Sequence, residues 1–145
     1  MIGIGFSHRL EIRHECQLKH RHEVRQMIDS TIITPNSTCP KCGHDMTEDD
    51  VRAGWRSDPT DFTTECPECH TRFEAHLLLT RDGESVGTHV YLCPDQLFHG
   101  LAQVQRGDSK RLGVVFLAEN HPQLLWNMIR HFGTYEAGLR EFRKR

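Results

Sequence analysis

The chain has 145 residues and a mass of 16.8 kDa, which suits one ordinary domain or two very small ones and excludes a large multidomain enzyme. Hydrophobic residues make up 37%, charged residues 26%, and mean hydropathy is -0.58, so the core is modest and calls for further support, which six cysteines could supply. A net charge of -2 with a pI of about 6.6 provides no global basic field, so any binding of nucleic acid must rest on local patches.

Residues 8–29 are dense in charge and histidine, with Ile12, Cys16, Val24, Met27 and Ile28 spaced for a loosely amphipathic helix. The β-branched run Thr31 to Thr34 stops at Pro35, which predicts a short strand entering a turn. Thr47 to Trp55 predicts a helix: Thr47 caps it, Glu48, Asp49 and Asp50 suit its first turn, and Gly54 ends it. The runs Arg72 to Thr80 and Thr88 to Leu92 flank a segment containing Asp82-Gly83, a hairpin signal. From Pro94 the texture turns helical: Asp95 to Gln105 ended by Gly107, then Pro122 to Phe132 and Thr134 to Lys144 separated by Gly133. The longest apolar run, Gly113 to Ala118, is core-sized and far short of the roughly 18–20 residues a membrane span needs.

These elements predict an α+β fold in three parts: an N-terminal arm over 1–35, a metal module over 36–93 and a helical part over 94–145. Met1 to Phe6 passes at once into His8, Arg9, Glu11 and Arg13, without the apolar stretch and cleavage site of a secretory signal. The expected location is therefore the reducing cytoplasm, where paired cysteines read as metal ligands before disulfides.

The strongest signal is Cys39-Pro40-Lys41-Cys42-Gly43-His44 paired with Cys66-Pro67-Glu68-Cys69-His70, two Cys-Pro-x-Cys turns separated by 23 residues. A two-residue gap lets both thiolates of a tight turn converge on one ion, and two such turns give tetrahedral four-sulfur coordination. One structural zinc on Cys39, Cys42, Cys66 and Cys69 is expected, although rubredoxin-type iron shares the geometry. Two disulfides or a thioredoxin-like redox pair are the competing readings, but a redox motif calls for a single pair in a βαβ setting. His44 and His70 could each replace a cysteine ligand, while Cys16 and Cys93 read as buried thiols.

Cys39 to Phe73 resembles the zinc-ribbon family, with Glu48 to Val51, Ala53-Gly54-Trp55, Asp61, Thr64 and Cys66 to Cys69 carrying the likeness. A similar stretch occurs near the C-terminus of some DENN-domain proteins. The resemblance implies a β-hairpin ribbon with Trp55 and Phe73 in its small core, or alternatively Trp55 as a base-stacking platform. It leaves function open, since ribbons bind DNA, RNA or protein, or brace a neighbour.

Further on, Arg130 to Leu139, with Phe132-Gly133-Thr134-Tyr135 and Ala137 to Leu139, resembles the Phe-Gly-Ser-Trp signature of helical repeats associated with homing endonucleases, with Gly138 where alanine is expected. The helical spacing on either side of Gly133 makes a helix-turn-helix-sized unit, and the likeness implies that it contacts nucleic acid. The basic residues Arg130, Arg140, Arg143, Lys144 and Arg145 outnumber Glu136 and Glu141 there, giving either a phosphate-contacting patch or a solvated tail.

No motif for an enzyme is present: there is no H-E-x-x-H, G-x-S-x-G or phosphate-binding glycine loop, and His14, His20 and His22 lack a partner that completes a known spacing. The reading is a non-enzymatic, zinc-binding accessory or regulatory protein whose partner is nucleic acid. The alternative is an adaptor in which the ribbon meets a protein, with no membrane role in either case.

Overall fold

In a computed structural model, residues 20–35, 37–107 and 112–145 are described. The helix expected over 8–29 is present from residue 20 as α1 (20–29), while Cys16 and His14 lie outside the described residues. Val24 of α1 is buried, and Met27 and Ile28 pack with it against the helical core.

The largest sheet is three-stranded and antiparallel, in the order β1 (Ile32–Thr34), β6 (His76–Arg81), β7 (Glu84–Val90). Ile33 faces Leu79 across one ladder, and Leu77 faces His89 across the other. Alternation along β6 buries Leu77 and Leu79 and leaves His76, Leu78 and Thr80 half-covered, as a strand with one core face requires. The turn consists only of Asp82 (φ 53°) and Gly83 (φ 79°), the left-handed pair of a two-residue hairpin. Hence β7 begins at Glu84, inside the segment between the two expected strands, and a bulge follows at Leu79/Thr80. The expected strand over 72–80 is likewise two: β5 (Arg72–Phe73) and then β6.

Two short ladders carry the cysteine turns. β2 (Ser37–Thr38) pairs with β3 (Asp45–Met46), and β4 (Thr64–Glu65) pairs with β5. Between them lies α2 (Glu48–Ala53). Its start is fixed by a full capping box: Thr47 Oγ1 accepts from the Asp50 amide, and Asp50 accepts from the Thr47 amide. Gly54 ends α2 where β4 crosses it; a Cβ there would stand 2.3 Å from Thr64 Oγ1 and 2.5 Å from Glu65 N.

The helical half comprises α3 (Pro94–Gly107), α4 (Val114–Asn120), α5 (Pro122–Phe132) and α6 (Tyr135–Arg143). The apolar run at 113–118 is thus most of a helix, burying Val114 and Leu117 three residues apart on one face. Gly133 (φ 88°) separates α5 from α6, and Thr134 caps α6 by accepting from the Ala137 amide. No described helix is long and apolar enough to cross a membrane.

Two apolar clusters result. One gathers α1 and the four C-terminal helices around Leu97, Leu101, Leu117, Leu125 and Met128. The other surrounds the cysteines with Met46, Val51, Ala75, Leu77 and Tyr91, against which Trp55 and Phe73 pack. Asn127, fully buried on α5, ties that helix to the end of β7 and the residues after it: its Oδ1 accepts from the Leu92 amide at 2.8 Å, and its Nδ2 donates to the Val90 carbonyl at 2.9 Å.

Candidate metal centre

Each cysteine pair sits on a turn of the same construction. In the first, the Cys39 amide donates to the His44 carbonyl at 2.9 Å and the Gly43 amide to the Cys39 carbonyl at 3.0 Å. In the second, the Cys66 amide donates to the Thr71 carbonyl at 3.0 Å and the His70 amide to the Cys66 carbonyl at 2.9 Å. Closing the turn so tightly forces the residue after the second cysteine into the left-handed region, with Gly43 at φ 76° and His70 at φ 64°. Glycine meets that demand without strain; His70 meets it at a cost.

The two turns face each other, so that the four Sγ atoms lie within 4.8 Å of one another. Cys39 Sγ is 3.5 Å from Cys69 Sγ, and Cys42 Sγ is 3.6 Å from Cys66 Sγ. A tetrahedron with metal–sulfur bonds of about 2.3 Å has edges of about 3.8 Å, so this donor set fits one four-coordinate ion. None of the four is joined in a disulfide in this structure. Cys39 and Cys66 are buried, Cys69 is half-buried and Cys42 is exposed. The Thr71 hydroxyl lies 3.2 Å from Cys69 Sγ; that hydroxyl and the Thr71 backbone hold the Cys69 thiol below its ordinary value, while desolvation and the neighbouring thiols push Cys42 up.

Neither histidine joins the cluster. His44 Nε2 is 3.1 Å from Asp50 Oδ2, and His70 Nδ1 is 3.4 Å from Glu65 Oε2. Cys93 is a buried thiol whose nearest partner is the Arg56 carbonyl at 3.9 Å. Burial pushes its pKa up. Trp55 stands edge-on to Tyr91, ring centroids 4.9 Å apart, and also touches His131.

The five basic residues singled out in the sequence do not share one environment. Arg130 is turned inward: Nε and Nη2 each donate to a Glu48 carboxylate oxygen at 2.8 Å, and Nη1 donates to the Ile33 carbonyl at 3.1 Å. Tyr91 donates to the same carboxylate at 2.5 Å. The Arg130 guanidinium and the Tyr91 hydroxyl hold the Glu48 carboxyl at about 2, well below its ordinary range. Arg140, Arg143, Lys144 and Arg145 are exposed at the end of α6. There Lys144 pairs with Glu141 at 3.1 Å, and Arg145 lies over the Phe98 ring, 4.2 Å from its centroid, and 3.7 Å from Asp95.

The Glu48–Arg130 pair and Thr71 escape the sequence reading. Glu48 there is only a first-turn acid, and Arg130 only one of a basic series. Nothing local marks two residues 82 apart as partners.

The fold and site define a mixed α+β chain with a four-cysteine candidate metal site. Set against protein-family models, curated proteins and solved structures, the chain finds no match among them.

Proposed function

We propose that this is a zinc-ribbon protein in which one zinc, held by Cys39, Cys42, Cys66 and Cys69, braces a non-enzymatic module that binds nucleic acid in an accessory or regulatory role. The observation that carries the zinc part is the convergence of four thiol sulfurs from two matching turns. Four thiolates fill a tetrahedral shell and leave no open position for a substrate, which favours a structural ion over a catalytic one.

The nucleic-acid part rests on the exposed basic end of α6. Arg140 and Arg143 have no carboxylate within 4.0 Å among the described residues, and Glu136 attracts Arg140 only from farther off, so both can turn to phosphates. The proposed contact set is accordingly Arg140, Arg143, Lys144 and Arg145; Arg130 is committed to Glu48 and serves the fold. The likeness of Phe132 to Leu139 to nucleic-acid-binding repeats adds to this reading.

Titration with DNA and RNA at two salt concentrations tests it. Affinity should fall steeply with salt, by a slope of about 0.7–0.9 per phosphate contact, and replacing the four basic residues by Gln should flatten that slope. Unchanged binding by the quadruple variant would exclude the patch.

A protein adaptor is the second reading, favoured by Ile32 and Val86, which stand 66% and 44% exposed on the three-stranded sheet. Binding of neither DNA nor RNA at low salt would put the adaptor first.

A further inference from the structure

A cavity of about 840 Å³ opens between α3, the α4–α5 junction and the loop around Phe62. Its volume lies within the roughly 300–1,000 Å³ of small-ligand sites. At its floor α3 and α5 touch through Gly100, where a Cβ would stand 2.7 Å from Leu124 Cδ2.

The chemistry of its walls is selective. Leu92 and Leu124 line the cavity with apolar surface, and so does Phe62, which remains 41% exposed. The Gln103 and Gln123 amides offer donors and acceptors, Gln103 Nε2 lying 3.3 Å from His99 Nε2, and His89 and His121 also line the wall. No Asp, Glu, Lys or Arg lines the cavity among the described residues. A phenyl ring, amide and imidazole hydrogen-bonding groups, and the lack of a carboxylate, ammonium or guanidinium suit a flat, heteroatom-rich ring.

Position adds a second constraint. Gln96, Gly100, Val104 and Gly107 of α3 face this cavity, while Phe98, Ala102 and Gln105 of the same helix face a smaller hollow shared with Arg143 and Arg145. The cavity and the basic end of α6 thus flank one helix, about 10–12 Å across, a span that a few nucleotides bridge.

We infer that the cavity receives one unpaired nucleobase of a single strand, whose phosphates then pass over α3 to Arg143 and Arg145. The inference rests on the nucleic-acid reading above and adds to it a preference for single strands. Arginines alone read phosphate charge, whereas the cavity reads the presence of a base.

The test is a fluorescence titration of the full chain with two labelled octanucleotides of equal charge, one of thymidines and one made wholly of abasic sites. Parent protein should bind the thymidine strand about tenfold or more tightly than the abasic strand. Phe62→Ala, and separately Gln103→Trp, should bring the thymidine strand down to the abasic value; both residues are exposed, so the fold is retained. Arg143→Gln with Arg145→Gln should weaken both strands alike. Equal affinity of the parent for the two strands would overturn the cavity's role while leaving phosphate binding in place. A full preference surviving in both cavity variants would also overturn it, by placing the base elsewhere. Binding of neither strand would overturn the nucleic-acid reading itself, and the cavity's role with it.

Discussion

The carboxylate of Glu48, at the start of α2, takes two parallel hydrogen bonds of 2.8 Å from the guanidinium of Arg130 on α5. The contact ties the cysteine-bearing half to the helical half, and Tyr91 and the Ile33 carbonyl complete it. Both side chains are about 28% exposed, so solvent screens the pair only in part. Glu48→Gln should cost on the order of 2–3 kcal/mol at neutral pH. Because the folded-state carboxyl sits at about 2 against an ordinary 4.5, that contribution is complete above pH ~4.5 and disappears as pH falls towards 2. Denaturant melts of parent and variant across pH 2–7 should therefore converge at the acid end. A gap that persists at pH 2 would show that the carboxylate charge is not the source of the stability.

Asn127→Leu removes the acceptor for the buried Leu92 amide and the donor to the Val90 carbonyl. A loss of about 2–4 kcal/mol is expected, since a buried donor is left unsatisfied. Hydrogen exchange at the Leu92 amide should quicken more than exchange in α6. Unaltered protection at Leu92 would mean that another group takes over the bond.

Gly54→Ala tests a close approach rather than a backbone angle. Gly54 is at φ -89°, which alanine adopts freely, yet the added Cβ would collide with Thr64 and the Glu65 backbone. A cost of about 1–3 kcal/mol is expected, with weaker metal affinity because β4 leads directly into Cys66. Thermal melts and metal competition check this; a variant equal to the parent in both would mean that α2 and β4 separate easily.

The matching turns make opposite predictions at equivalent positions. Gly43→Ala should cost about 1 kcal/mol, since nothing crowds the site and only the positive φ opposes a side chain. His70→Gly should leave stability unchanged or raise it by up to about 1 kcal/mol by relieving the same strain. Loss of stability in His70→Gly would assign the imidazole a supporting contact with Glu65 that outweighs the backbone term.

Local chemistry is what the sequence made legible. Thr47 and Asp50 announce the capping box of α2, Asp82-Gly83 the hairpin, and Gly133-Thr134 the break between α5 and α6. The repeated Cys-Pro-x-Cys spacing points to the four sulfurs that the fold brings together. What stayed hidden depends on distant partners. Val114 to Ala118 is apolar on consecutive residues, so periodicity cannot separate a helix from a buried strand, and packing against α5 decides it. Asn127 looks like a flaw in an apolar helical face until the end of β7 is placed beside it. Arg130 reads as part of a basic series because its partner lies 82 residues earlier.

The central claim is that four cysteines hold one zinc whose binding energy is folding energy. Elemental analysis of the purified chain, paired with thiol titration before and after chelation, tests it most directly. The account predicts one zinc per chain, four thiols that react only after the metal is removed, and loss of the cysteine-bearing half's cooperative melt in Cys42→Ser and Cys66→Ser. A folded chain without metal, or with Cys39–Cys42 and Cys66–Cys69 as disulfides, would contradict it.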